Sequence, residues 1–225
     1  MCQQITFLSL AEYSYSNSID HDCTDTAWHP GVNTGYDYYA LKLNDTGALL
    51  WDSSYGGSGE DASAYAMFDT RDSTIIVNGT TSSNDYMVTG YHECLDAGDM
   101  WVVKLNRNGT LQWGKTLGSV QQEKGTGVCI GDDNSYAAYG STYYNNCYDS
   151  TIGDIGGEDC WLFVLDNSGN EISNKIIGGT ADEIPNSTIP YLKGYVISGI
   201  SESTVFDEGL QTDGTALVKM HLLVI

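Results

Sequence analysis

WVVKLNRNGTLQW, running from Trp101 to Trp113, joins an alternating apolar strand to a second strand through a polar turn that ends in glycine. The same phrase returns as YALKLNDTGALLW from Tyr39 to Trp51 and as WLFVLDNSGNEIS from Trp161 to Ser173. A truncated form, ALVKM, starts at Ala216. The anchors Tyr39, Trp101, Trp161 and Ala216 are 62, 60 and 55 residues apart. A period in this range belongs to architectures that place one small sheet in each repeat.

Working outward from the hairpin, further landmarks keep the same spacing. A glycine pair or its remnant follows each hairpin, at Gly56-Gly57-Ser58, Gly118-Ser119 and Gly178-Gly179-Thr180. An acidic residue comes next, at Asp61, Glu123 and Glu183, and then a β-rich stretch ending in Gly79, Gly140 or Gly199. Ahead of the first full hairpin only the apolar run Ile5 to Leu10 is visible. One unit therefore reads as four strands, with ASAYAMF, TIIVNGT, MWVVKLN and TLQWGKT in that order. Period-two alternation and the Val, Ile, Thr, Tyr and Trp content favour strands over helices.

The turns Asp45-Thr46-Gly47, Arg107-Asn108-Gly109 and Asn167-Ser168-Gly169 are of the tight kind that needs a positive φ. The links between second and third strands are long, over roughly 12–37, 81–99, 142–159 and 201–214. Four-stranded sheets repeated at this period predict an all-β β-propeller with blades of about 60 residues. The blades fall at about 5–57, 58–118, 119–179 and 180–225, two complete and two partial, within a single domain.

The pattern D-x-W-V-V-K-L-N-x-x-G-x-L-x-W, then G-G-S-x-x-D-x-A, then I-V-x-G-x-T-x-S, resembles the β-propeller repeats of secreted and cell-surface proteins of bacteria and archaea. The resemblance runs from about Ile5 to Met220 and implies a propeller in an extracellular or cell-surface setting, with no single activity. The chain departs from the pattern at Val164 in place of Lys, at Ser173 in place of the second Trp and at Ala216 in place of the first. The strand count leaves three arrangements open: a four-bladed ring, part of a larger propeller, or a half-ring completed by another chain.

Composition limits the partners. In 225 residues, 30 acidic side chains stand against 9 basic ones, a net charge of −21. Such a surface repels a phosphate backbone, which argues against nucleic acid, and it disfavours an anionic membrane surface equally. No stretch reaches the roughly 20 apolar residues of a transmembrane helix. Glycan, protein and divalent cations remain as partners, together with a homo-oligomer or larger assembly.

Of six cysteines, Cys23, Cys94, Cys147 and Cys160 lie in or beside the long links, where a disulfide would restrict the unfolded chain. Cys147 with Cys160 and Cys23 with Cys94 are the candidate pairs. No C-x-x-C pair exists, so a zinc ribbon is unsupported. Glycosylation sequons begin at Asn44, Asn78, Asn108 and Asn186, all expected to be exposed.

Chemistry-bearing side chains gather in the links, where a rigid scaffold usually displays its binding groups. Asp20, Asp22 and Asp25 alternate as oxygen ligands for calcium would, without the glycine and the distant Glu of an EF-hand loop. His21, His92, Glu93, Asp96, Tyr143, Tyr144, Asp149 and Asp154 complete the expected binding face. Asp37, Asp99 and Asp159 each precede an anchor aromatic by two residues, and this repetition predicts a structural role as hydrogen-bond acceptors. Trp51, Trp101, Trp113 and Trp161 read as core or inter-blade packing.

There is no G-x-S-x-G elbow, no H-E-x-x-H and no phosphate loop, because each Gly-Gly site leads into a strand and lacks a helix N-terminus. A propeller-type carbohydrate-active enzyme would need a carboxylate pair across a cleft, and the sequence singles out no such pair. The expected function is a non-catalytic extracellular binding or assembly module. A structural subunit of a surface layer or filament is the alternative.

Overall fold

The structure, a computed structural model, describes residues 8–11, 36–92, 98–143, 157–192, 194–203 and 219–224. Every regular element among them is a β-strand, arranged in four antiparallel sheets, none closed into a barrel. The first sheet pairs β1 (Leu8–Ala11), β2 (Tyr38–Leu43) and β3 (Leu49–Tyr55) in chain order. The second runs β4 (Asp61–Asp69), β5 (Thr74–Thr81), β6 (Asp99–Leu105) and β7 (Leu111–Leu117). The third repeats this with β8 (Gln122–Ile130), β9 (Tyr136–Tyr143), β10 (Glu158–Leu165) and β11 (Glu171–Ile177). The fourth holds β12 (Glu183–Tyr191), β13 (Gly194–Ser201) and β14 (Lys219–Val224).

The middle strands explain themselves by composition. β5, β6, β9 and β10 are covered on both faces, so IIV, MWVV, AAY and CWLFV run without polar interruption. Outer strands β7 and β11 have lower burial and carry alternating polar residues. A β-bulge interrupts the first strand of three sheets at one place, at Ser63/Tyr65, Gly125/Gly127 and Pro185/Ser187. There the first strand presses on its neighbour: a Cβ at Gly140 would sit 2.1 Å from the Lys124 carbonyl oxygen, and one at Gly199 2.2 Å from that of Ile184. This close approach is why the β-rich stretch ends in glycine.

Three apolar clusters join the sheets in sequence order. Tyr38, Ala40 and Tyr55 of the first sheet pack on Ile75, Val77, Trp101 and Val103 of the second. Ile76, Met100 and Val102 pack from the second onto Tyr136, Ala138, Trp161 and Phe163 of the third. Cys129, Ala137, Leu162 and Val164 meet Tyr195 and Ile197 of the fourth.

The outer strands add a clasp at the first two seams. The Trp51 ring lies over Gly109 in the next sheet's hairpin, about where a Cβ would stand, and its Nε1 donates to the Arg107 carbonyl at 3.1 Å. Trp113 does the same at Gly169, with Nε1 donating to the Asn167 carbonyl at 3.2 Å. Both glycines have φ of +82°, so the hairpin needs glycine for its turn and again for room beneath the indole. The repeated lysine follows the same logic: Lys42 Nζ donates to the Arg107 carbonyl at 3.3 Å, and buried Lys104 reaches Asn167 Oδ1 and Asp72 Oδ2. At the third seam Val164 and Ser173 occupy the lysine and tryptophan positions, and the seam rests on its apolar cluster.

Two expectations are corrected here. Asn78 is not an exposed sequon: it is fully buried in β5, and its Nδ2 donates to the carbonyls of Gly127 and Tyr139 in the third sheet. Cys160, a candidate disulfide partner of Cys147, lies within β10, and its thiol is free and buried against the third seam. Burial pushes that thiol up to about 12, well away from a reactive thiolate.

Candidate functional site

The long links leave each sheet at one end, the end at which the first strand starts, the second ends and the third starts. At this end the structure places a device the repeats share. Two of the three aspartates that precede an anchor aromatic by two residues meet the acidic residue that opens the next sheet, Asp37 with Asp61 and Asp99 with Glu123, and the same separation of 24 residues recurs between Asp159 and Glu183. The glycine between them is the floor. A Cβ at Gly56 would stand 2.3 Å from Asp37 Oδ1 and 2.6 Å from Asp61 Oδ2. One at Gly118 would stand 2.4 Å from Glu123 Oε2 and 3.2 Å from Asp99 Oδ1, and one at Gly178 2.0 Å from Asp159 Oδ1.

The acid that opens each sheet is held by its own strand and by the incoming chain. Asp61 Oδ2 accepts from the Gly57 amide at 2.7 Å and from Ser83 Oγ at 2.8 Å, while Oδ1 accepts from Thr81 Oγ1. Glu123 accepts from the Ser119 amide and hydroxyl at 3.1 and 2.9 Å and from Thr142 Oγ1 at 3.0 Å. Glu183 Oε1 accepts from Ser201 Oγ at 2.7 Å and from the Ser203 amide at 3.3 Å. Thr81, Thr142 and Ser201 each stand opposite the acid in register on the second strand, so one hydroxyl position recurs three times.

The aspartates tie the start of the third strand to what surrounds it. Asp99 Oδ2 accepts from the His92 amide at 3.0 Å and stands 2.9 Å from His92 Nδ1, which anchors one side of the link. Asp159 Oδ1 accepts from the Gly179 amide at 3.3 Å. Asp99 Oδ1 and Glu183 Oε2 are buried without a hydrogen-bond partner.

Removal from water dominates the electrostatics. Burial raises Asp37 to about 6. Burial lifts Asp61 to about 6 against the hydrogen bonds of Thr81, Gly57 and Ser83, with the Asp37 charge adding to the rise. Glu123 is carried to about 7 by burial, with Asp99 contributing, and Asp99 itself is raised by burial despite His92. Two carboxyls with raised affinity for protons are the raw material of acid–base hydrolysis. Here Asp61, Asp99 and Glu123 are wholly buried, whereas Asp37 is half-buried.

The other expected site residues divide into two groups. Tyr143 ends β9, half-buried opposite Glu158, with its hydroxyl raised by burial and then by that carboxylate. His92 stands on Asp99 with its ring partly exposed. Asp20, His21, Asp22, Cys23, Asp25, Glu93, Cys94, Asp96, Tyr144, Cys147, Asp149 and Asp154 lie outside the described residues. Among the described residues no group of three or more His, Cys, Asp or Glu converges as a metal would require, and no helix is long and apolar enough to cross a membrane. The pairing of the two acids is what the sequence reading missed, although the constant separation of 24 residues is its signature.

Compared with known proteins, the sequence matches no family model and no curated protein.

Proposed function

We propose that the four sheets are blades of a β-propeller and that the chain is a non-catalytic extracellular module, which binds glycan or protein through its long links. The observation that carries this reading is the common end of the sheets. Every long link departs there, beside acidic side chains held by hydrogen bonds to the strand ends and to the incoming chain. A rigid floor beneath variable links is how scaffolds display binding residues. The acidic link with Asp20, Asp22 and Asp25 fits calcium as an ordering ion, and the 16 tyrosines of the chain suit stacking on sugars or contact with protein.

Glycan-array and surface-protein binding, each with calcium and with chelator, test this reading. The comparison is with a variant whose residues 82–98 are replaced by a Gly-Ser link of equal length. Retention of a glycan or protein that the variant loses, without turnover, is the expected outcome. Cleavage of a glycan would instead favour the carbohydrate-active enzyme.

A further inference from the structure

The repeats differ in what faces the lysine of the third strand. Lys42 Nζ of the first sheet meets a backbone carbonyl in the next hairpin, that of Arg107, at 3.3 Å. In the third sheet Val164 stands at the lysine position. At the second seam the hairpin position that faces the lysine carries a carboxamide, Asn167, where the hairpin before it has Arg107. Lys104 is 2 % exposed, and its Nζ stands 2.5 Å from Asn167 Oδ1 and 2.8 Å from Asp72 Oδ2. An amine from β6, a carboxamide from the β10–β11 hairpin and a carboxylate from the β4–β5 turn thus converge at one point.

The surroundings suit an acyl transfer. Tyr136 Oη lies 2.9 Å from the same Asn167 Oδ1. The phenol's other neighbour, Asp69 Oδ2 at 3.1 Å, is already held by Arg71 through Nε and Nη2. The phenol proton is therefore placed to stabilise negative charge that develops on Oδ1. The Tyr136 ring covers Nζ, whose distance to the ring centroid is 5.1 Å. Asn167 itself is exposed, so a small leaving molecule passes directly to water. Burial weighs against charge on Lys104, but the hydrogen bonds to Asp72 and Tyr136 outweigh it and hold the amine above its usual range. Burial likewise pulls Asp72 upward, and Lys104 and Thr74 more than reverse it. The resting pair is an ammonium and a carboxylate, joined by the hydrogen bond along which a proton passes.

We propose that Lys104 and Asn167 form an intramolecular isopeptide bond, with Asp72 as proton carrier and Tyr136 as oxyanion donor, which joins the second sheet covalently to the third. One proton passes from Nζ to Asp72 Oδ2. The freed lone pair of Nζ forms a bond to Asn167 Cγ, and the carbonyl π pair moves onto Oδ1. Asp72 then gives its proton to Nδ2 and takes one from Nζ. The Cγ–Nδ2 bond breaks as the carbonyl re-forms, ammonia leaves, and ammonia takes the remaining proton from Asp72. One lysine ammonium and one carboxamide thereby become one secondary amide and one ammonium ion, with no oxidant or other co-reactant. The fold supplies the proximity that such a step otherwise lacks. Lys104 and Asn167 are 63 residues apart, so the bond restricts the unfolded chain as a disulfide would, and reductants do not open it. The proposal goes beyond the binding function and is independent of any ligand.

The test is the intact mass of the full chain after folding and prolonged incubation, followed by tryptic peptide mapping. A chain lighter by one ammonia is expected, with residues 72–107 and 125–175 recovered as one branched peptide in which cleavage after Lys104 is lost. The Asn-Gly sequences at Asn78 and Asn108 can also shed ammonia by closing on themselves, so the branched peptide decides and not the mass alone. Lys104→Arg and Asn167→Ala should each show the mass their sequence dictates. Asp72→Asn, with circular dichroism as a check of folding, should slow formation of the branch at least about a hundredfold. Separate peptides from the folded wild-type chain, or a branch from Lys104 to any residue other than Asn167, would overturn the bond. Linkage at the wild-type rate in Asp72→Asn would overturn the part given to Asp72. The wild-type peptide map decides the bond even where a variant misfolds.

Discussion

At Gly118 the difference between a hydrogen and a methyl group decides whether two carboxyls can share one seam. A methyl there would fall 2.4 Å from Glu123 Oε2, and neither Asp99 nor Glu123 can retreat without losing its hydrogen bonds. Gly118→Ala is therefore expected to destabilise the fold by roughly 1–3 kcal/mol, as overpacking does in a close-packed interior. A lower urea midpoint at unchanged m-value would show it. The indole clasps make a second residue-scale case. Trp113→Ala removes a half-buried ring and its bond to the Asn167 carbonyl, and a loss of about 2 kcal/mol is expected, below the range for a fully buried ring. Ser173→Ala at the equivalent position of the third sheet should change stability by less than about 1 kcal/mol, since that side chain makes no clasp. Chemical denaturation of the two variants side by side checks the contrast.

The acid pair acts at the scale of the element, because it fixes where one sheet ends and the next begins. Asp61 near 6 and Glu123 near 7 hold their protons more tightly folded than unfolded. Folding then takes up protons between the ordinary carboxylate range and pH 7, and stability falls as pH rises through that window. The opposite slope comes from Asp69, held below its usual value by the Arg71 hydrogen bonds, and from Asp133, held down by Ser135; their contribution is lost as pH falls below about 4. Melting temperature should accordingly peak near pH 5 and decline toward pH 8, and Glu123→Gln should flatten the decline. Calorimetry across this range reads both. The strands, their hairpins and the four-unit period were legible because a repeat of alternating residues states them directly. Asp37, Asp99 and Asp159 were legible as scaffold through their recurrence, but their partners were not, since each partner opens the following unit and only the fold brings it back. Asn78 looked like a surface sequon for a related reason: a sequence shows the Asn-Gly-Thr triplet and not the carbonyls of Gly127 and Tyr139 that enclose it. Cys160 misled through its place beside a link, where strand alternation turns it inward.

For the whole molecule, each sheet is packed on its neighbours in the stack, and the two middle sheets are covered on both sides. Stability in such a linear arrangement is close to a sum over seams, with the ends the first to open. Amide hydrogen exchange should find β6 and β10 the slowest elements and β2 and β13 at least about tenfold faster. Protection of β13 equal to that of β6 in dilute chain would contradict this order. The seam clasp also bears on how such a chain is lengthened. One repeat carries one tryptophan strand and one glycine hairpin, so a gene duplication that copies a repeat inherits both sides of a finished joint and needs no later substitution to fit. Copying residues 58–118 would insert a joint with the Trp113 indole over a copied Gly109, whereas copying 119–179 would propagate Ser173 and insert a joint without an indole.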